Sequence, residues 1–425
     1  MKKMEGVFVR NPGRRSFLTK GTLAAGAATV GAATLGKSFS AFGRDEQDDG
    51  GGKPNKGDIA ILRFLQALET IEADLWRQYA ELGGPSAATG TQGLSANDLK
   101  DQKGNAIPTG LAPLYIGGLL ILDGDMPQYI ADNTDDEFSH EVWLKNYLAS
   151  KGADIVELNN KFASLAPSQV TGVPNVGRLT NLTQLTIDTS WWTRYRSDNK
   201  NPDLGDSFEH AIPSLAVGQH TAIPRTNADL IADPTQSSGV ATHTQAIAFT
   251  AGFHFGTIEQ GGSSLYPSLA QRVSHTEVLR VLLSIGPTET MHFQTWQDKA
   301  GNATQISDTD TGFPGSTGAT VTFPDLNAGL NPNNPGQSGP LASVADQFQT
   351  NLIMPEPTFL LHKNLGRISI IRPTETKDAA KNALQGLIDS GLFLGHTSKS
   401  GKSDGFVEFL RDLAEDADEA RRQLD

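Results

Sequence analysis

No cysteine occurs among the 425 residues. Disulfides, thiolate metal sites and cysteine nucleophiles are therefore excluded. Any metal must be held by histidine and carboxylate, ligands that suit Fe, Mn or Zn. Bases are scarce: 35 Lys and Arg stand against 48 Asp and Glu, a net charge of −13. The first 43 residues run the other way, with seven bases (Lys2, Lys3, Arg10, Arg14, Arg15, Lys20, Lys37) and one acid, Glu5. Their net +6 leaves −19 on the remainder. Such a surface favours solubility and repels nucleic acid and anionic membrane. The weakly apolar run Gly21 to Gly36 is too short and mild for a stable transmembrane helix. A Gly-x-Ser-x-Gly elbow, a phosphate loop and a zinc-protease motif are all missing, so nothing supports those chemistries.

What is present begins with an address. Arg14-Arg15, Phe17-Leu18 and Lys20 resemble the twin-arginine export signal of bacteria, although Gly13 stands where Ser or Thr is common. Cleavage is expected near Ala41 or Gly43. The resemblance implies passage through the twin-arginine translocation machinery, a route for folded proteins, and a periplasmic or extracellular location.

Hydrophobic residues make up 37 %, enough for one sizeable core, while 44 Gly and 22 Pro cluster between the periodic segments. One main domain with large loop insertions follows. Residues 44–57 read as a linker, and Asp58 as the cap of a helix reaching about Leu82. After a loop (83–110), a short apolar piece (111–122) leads to a helix capped by Asp125, with Pro127 in its first turn, running to about Ser150. Residues 178–196 are ambiguous between helix and strand, and 197–240 form a long loop. A third helix is expected from Thr242 to about Leu265, with Pro267 interrupting. Residues 268–285 are helical in pattern. Gly286-Pro287 then breaks or kinks that pattern, and Pro287 can start the segment that carries Glu289 and His292 and ends near Gly301. A Gly/Pro/Asn-rich extension (301–375) contains a short strand within Arg367–Arg372. Segments 376–391 and 403–423 complete the chain as C-terminal helices.

Against this frame one motif recurs: Glu137-x-x-His140 and Glu289-x-x-His292. A three-residue step puts Glu and His side by side on a helix, so both reach one ion. Each pair follows a helix with a glutamate on its apolar stripe, Glu69 and Glu72 in one case and Glu259 in the other. Glu, then Glu-x-x-His, given twice, is the ligand pattern of a four-helix two-metal carboxylate centre. An internal repeat marks Glu72 followed by Tyr79 and Glu259 followed by Tyr266, each pair seven residues apart. Tyr79 and Tyr266 are thereby candidates to donate hydrogen bonds or shuttle electrons. His254 and His275 are candidates for an outer role, although such residues are more often simply surface or satisfied core. Trp191-Trp192 reads as packing, and Asp135, Asp136 and Glu141 as a solvated flank.

With these residues in view, LETIEADLWRQY (68–79) and DDEFSHEVWLKNYL (135–148) resemble the ferritin-like superfamily. The likeness is to bacterial ferritin-like domain proteins with export signals, relatives of plant desiccation-related proteins. Over residues 58–300 the resemblance implies an all-α fold: an antiparallel four-helix ferritin-like bundle with long loop insertions and extra C-terminal helices. It implies a dinuclear Fe or Mn cofactor, with Glu137, His140, Glu289 and His292 as paired ligands and Glu259 as the third-helix glutamate. For the first helix the family-like register favours Glu69 followed by Trp76, and the internal repeat favours Glu72. The expected chemistry is redox, of the ferroxidase or manganese-catalase kind, with Fe(II), peroxide or dioxygen as small partners. The alternative is a non-enzymatic stress or desiccation-type scaffold. Oligomers are compatible with this reading, but the insertions argue against a cage.

Overall fold

The computed structural model describes residues 53–86, 99–194, 207–326, 377–396 and 403–423, with the backbone of 352–353 and 368–369. The export-signal segment lies outside the described residues, as do parts of the 83–110 and 197–240 loops and most of 327–376. What is described is mainly helical.

Helix α1 spans Lys56–Gly83. Its cap is Asn55 rather than Asp58. Asn55 Oδ1 accepts from the Asp58 amide at 2.8 Å, and Asp58 Oδ2 accepts from the Asn55 amide at 3.4 Å. This capping box satisfies two otherwise orphaned donors. Asp58 also accepts from the Ser274 and His275 amides at 2.9 and 3.1 Å, tying the start of α1 to a distant turn. Helix α2 is Pro113–Leu122 and α3 is Met126–Ser150. Asp125 occupies the cap position of α3, but its side chain makes no capping bond.

Two proline expectations are overturned. Helix α4 runs Thr242–Ala270 with Pro267 inside it, and α5 runs Thr276–Ala300 with Pro287 inside it. A proline removes one backbone hydrogen bond, which costs most where water cannot replace it. Pro287 is exposed, and so is Leu283 one turn earlier, whose carbonyl loses its partner. Glu289 and His292 therefore belong to one continuous helix that begins before Gly286.

Helix α1 packs on α3, and α4 packs on α5 and α2. Aromatics join the pairs: Trp76 lies 4.9 Å from Phe255 and 5.4 Å from Trp296, centroid to centroid. Each fully buried side chain of this size contributes about 1.5–3 kcal/mol. Close approach of α4 and α5 requires small residues. A Cβ on Gly286 would meet the Tyr266 Cβ at 2.7 Å.

Of the 178–196 segment, the described residues 178–194 are neither a long helix nor a sheet strand. They are extended, with isolated bridges Leu165–Arg178 and Leu185–His220, and end in the one-turn helix Ser190–Arg194. Trp191 and Trp192 are buried there, and Trp191 Nε1 donates to Thr257 Oγ1 at 3.0 Å. The long loops are pinned by buried ion pairs. Arg178 pairs with Glu81, and Arg225 with Asp229 and Asp310. The 301–326 region carries an antiparallel hairpin, β1 (Ile306–Thr309) with β2 (Thr320–Phe323). Ile368–Ser369 (β4) pairs antiparallel with Leu352–Ile353 (β3). Helices α6 (Ala379–Asp389) and α7 (Phe406–Glu419) close the chain. Phe406, Leu410, Leu413 and Ala417 of α7 are buried, and α7 packs on α1 and α6. Among the described residues no helix is long and apolar enough to cross a membrane.

Candidate metal centre

The four long helices α1, α3, α4 and α5 each bring a carboxylate to one buried place. Glu69, Glu137, His140 and Glu289 form one group, and Glu137, Glu259, Glu289 and His292 a second. Within each group one ligand atom per residue lies within 4.8 Å of every other. Glu137 and Glu289 belong to both groups, so they lie between the two histidines. The arrangement is two-fold in its logic: Glu69 answers Glu259, Glu137 answers Glu289, and His140 answers His292.

The spacings decide what the cluster can hold. His140 Nδ1 is 3.2 Å from Glu137 Oε2, 3.3 Å from Glu289 Oε1 and 3.4 Å from Glu69 Oε2. His292 Nδ1 is 3.1 Å from Glu137 Oε1 and 3.2 Å from Glu259 Oε2. One ring N–H cannot serve three oxygens. Ligands about 2.0–2.2 Å from a common ion, at 90–109° to one another, lie roughly 2.8–3.6 Å apart. Among the described residues, Glu289 Oε2 is buried without a partner, and Glu289 Oε1 and Glu69 Oε2 have only the shared His140 ring nitrogen at 3.3 and 3.4 Å. Unmatched buried carboxylate oxygens are costly unless a cation completes them. The residues therefore fit a pair of divalent ions, whose four charges match the four carboxylates.

The far ring nitrogens are also held. His292 Nε2 lies 3.0 Å from Asp136 Oδ2. His140 Nε2 lies 3.2 Å from Thr288 Oγ1, which itself donates to the Ile285 carbonyl at 2.6 Å. Thr288 therefore accepts from Nε2–H. A carboxylate or hydroxyl accepting at Nε2 directs the Nδ1 lone pair inward, as in ligand imidazoles.

Charge explains the proton balance. Burial works to lower the His140 pKa, but Glu69, Glu137 and Glu289 overcome it and push the imidazole far above its ordinary value. His292 is pushed up likewise, against burial, by Glu259, Asp136 and Glu137. Burial, then the neighbouring carboxylates, holds Glu289 well above the usual carboxylate range. Burial raises Glu259 as well, against the opposing pull of His292. Protons on the imidazoles and on the raised carboxyls, or divalent cations in their place, balance this cluster.

Glu69 and Glu72 separate clearly. Glu69 joins the first group, and its Oε1 accepts from the Tyr266 hydroxyl. Glu72 joins neither group, and its Oε2 is buried without a partner. Burial and the charges of Glu137, Glu289, Glu69 and Glu259 hold its carboxyl well above the usual range. The residue opposite Glu72 by the two-fold logic is Gly262, where a Cβ would meet Glu289 Oε2 at 2.9 Å. Tyr79 does not bond a carboxylate; its hydroxyl lies 2.7 Å from His254 Nδ1. His254 is buried, and burial alone pushes it down to about 3, so the ring is neutral. His275 marks the start of α5.

Several supporting residues escaped the motif reading. Asn133 Nδ2 donates to Glu137 Oε1 at 2.9 Å and to Glu259 Oε1 at 3.0 Å. Its Oδ1 accepts from Trp296 Nε1 at 2.7 Å. One amide thus orients a carboxylate from each half. Its position four residues before Glu137 was the available signal, since i and i+4 share a face. Glu141 is not a solvated flank: it is buried and accepts from Thr70 Oγ1 at 3.1 Å and from Gln102. Asp136 is half-exposed but faces His292.

No family model, curated protein or solved structure matches the chain.

Proposed function

We propose that this chain is an exported ferritin-like protein, an antiparallel four-helix bundle whose centre holds two Fe or Mn ions. The supporting observation is the cluster itself: two ring nitrogens, each among carboxylate oxygens at 3.1–3.4 Å, with buried oxygens short of donors. The fold reading is supported by the mainly helical architecture and by one carboxylate arriving from each long helix.

Bound Fe or Mn supplies electrons and open positions for dioxygen, peroxide or Fe(II), which makes redox chemistry the activity we assign. The chain's own residues set the stage. Glu137 and Glu289 stand between the histidines. Asn133 holds Glu137 and Glu259 in place, and the Tyr266 phenol holds Glu69. Tyr266 stays protonated, because burial and then Glu69 and Glu289 push its pKa upward. It is therefore a hydroxyl donor beside the centre, whereas Tyr79 is assigned to His254.

Elemental analysis tests the centre. Protein purified from metal-replete cells should carry close to two Fe or Mn ions per chain. His140→Ala with His292→Ala should remove most of this metal while helical circular dichroism persists. A folded wild-type chain that takes up no Fe(II) or Mn(II) on reconstitution would refute the dimetal reading and leave the non-enzymatic scaffold. Export rests on Arg14-Arg15. Changing both to Lys should leave precursor in the cytoplasm, and normal export of that variant would remove the twin-arginine assignment.

A further inference from the structure

Beside the carboxylates, between α1 and α4, lies a cavity of about 410 Å³. That volume is in the range of small-molecule sites. Its walls are largely apolar, with Leu65, Leu68, Leu75, Ile258 and Leu265 from the two helices and Leu387 from α6. Glu69, Glu72 and Tyr266 also line it, so it borders the first metal-ligand group. The other charged linings are Asp188 and Asp389, and no Lys or Arg lines it.

Apart from the carboxylates Glu69 and Glu72, one polar group in the wall lacks a full set of partners. His254 lines the cavity, is 1 % exposed, and its Nε2 has no hydrogen-bond partner among the described residues. Its Nδ1 faces the Tyr79 hydroxyl at 2.7 Å. A phenol donates better than it accepts, which assigns the single ring proton of this imidazole to Nε2. A buried N–H without an acceptor is costly, and a ligand oxygen would satisfy it.

We infer that this cavity binds an uncharged organic molecule with an apolar body and one hydrogen-bond-accepting oxygen, held by His254 and brought beside Glu69. The walls match the apolar body. No Lys or Arg lines the cavity among the described residues, and the lining His210 is already matched by Asp188 at 3.2 Å, so a carboxylate or phosphate would find no free counter-charge. That the bound molecule is the substrate of the centre rests on the dimetal reading; its binding does not.

Two glycines permit a clean test. Gly261 and Gly386 both line the cavity and are exposed, and a Cβ at either meets nothing within 4 Å. A side chain can therefore start at either position without a clash at Cβ, so leucine at both should narrow the cavity, and it favours both helices over glycine. Binding of hexan-1-ol, octan-1-ol and decan-1-ol is measured by calorimetry on metal-free and Mn(II)-loaded protein. Affinity should rise about three- to fourfold for each added methylene that the cavity accommodates. Decanoate should bind at least tenfold more weakly than decan-1-ol. The Gly261→Leu/Gly386→Leu variant should lose at least tenfold in decan-1-ol affinity with an unchanged or higher melting temperature. The inference is overturned if the alcohols do not bind either form, if decanoate binds as well as decan-1-ol, or if the double variant binds like the parent. Alcohol binding by a protein that takes up no metal would refute the dimetal reading alone. Metal uptake without alcohol binding would refute the cavity assignment alone.

Discussion

Replacing Glu69 and Glu72 separately by Gln tests the geometry of the centre most directly. Gln at position 69 can still accept from Tyr266, so the change isolates the loss of one charged ligand. It leaves His140 with Glu137 and Glu289 only. Loss of an outer supporting group costs about 10–100-fold in metal affinity, so loss of a direct ligand should cost roughly 100–1,000-fold, or about 3–4 kcal/mol. Glu72 belongs to neither ligand group, so Glu72→Gln should cost less than about tenfold. The difference is readable in heat stability. Unfolding entropy of about 2.1 cal/mol/K per residue gives roughly 0.6 kcal/mol/K for a domain of about 300 residues. At saturating Mn(II), Glu69→Gln should therefore shrink the metal-induced rise in melting temperature by about 5–7 °C, and Glu72→Gln by about 2 °C or less. The metal-free proteins add a sign. A carboxyl held well above its ordinary range disfavours folding increasingly as pH rises past its unfolded value. Metal-free Glu72→Gln should thus be more stable than the parent at pH 7. Calorimetric titration and melting curves on both variants give the answer. A larger affinity loss for Glu72→Gln, or equal losses, would refute the assignment of Glu69 as the ligand.

Two further outcomes test how the loops and outer helices are held. His243 Nε2 and Nδ1 face Asp229 and Asp308 at 3.2 and 2.8 Å; burial lowers its pKa, but these carboxylates raise it to about 9. Its stabilisation is present below its unfolded value near 6.5 and lost as pH rises through about 9. The urea-derived stability difference between wild type and His243→Asn should shrink by about 2 kcal/mol from pH 6 to pH 9.5, after discounting for partial solvent screening; a difference that stays constant would show that the pair is not coupled to folding. Asp418 accepts from the Ala380 and Lys381 amides at 3.1 and 2.9 Å and pairs with Arg272 at 2.8 Å. Asp418→Ala should cost about 2 kcal/mol in urea denaturation, because it uncaps α6 and takes the carboxylate from a part-buried guanidinium, which keeps its bond to the residue 418 carbonyl at 2.9 Å; a loss under 1 kcal/mol would mean that α6 is held without it.

The residues brought together at the centre were legible where their relation is local. A three-residue step on a helix joins Glu137 to His140 and Glu289 to His292 whatever the rest of the chain does. Glu69 and Glu72 were not separable that way, because both lie on one apolar stripe within a turn of each other. The choice depends on which of them faces His140 across the helix pair, and that is a tertiary fact. The internal repeat could not make that choice for the same reason. It aligned tyrosines, while the structure uses Tyr266 on Glu69 and Tyr79 on His254. Proline was over-read. The rule that ends a helix at proline is local, but exposure of Pro287 lets water take the freed carbonyl while the buried face keeps packing. Charge was over-read too. Glu141 has the composition of a solvated flank, yet Thr70 and Gln102 supply its hydrogen bonds from outside α3. The hairpin of β1 and β2 gave little signal because polar side chains hold its outer face, with Ser307 opposite Thr322 and Thr309 opposite Thr320. Asn133 shows the limit most sharply. Its place one turn before Glu137 is visible in the sequence, but Glu259 and Trp296 come from two other helices. One amide therefore joins three helices, and it ties the orientation of Glu137 in one half to that of Glu259 in the other.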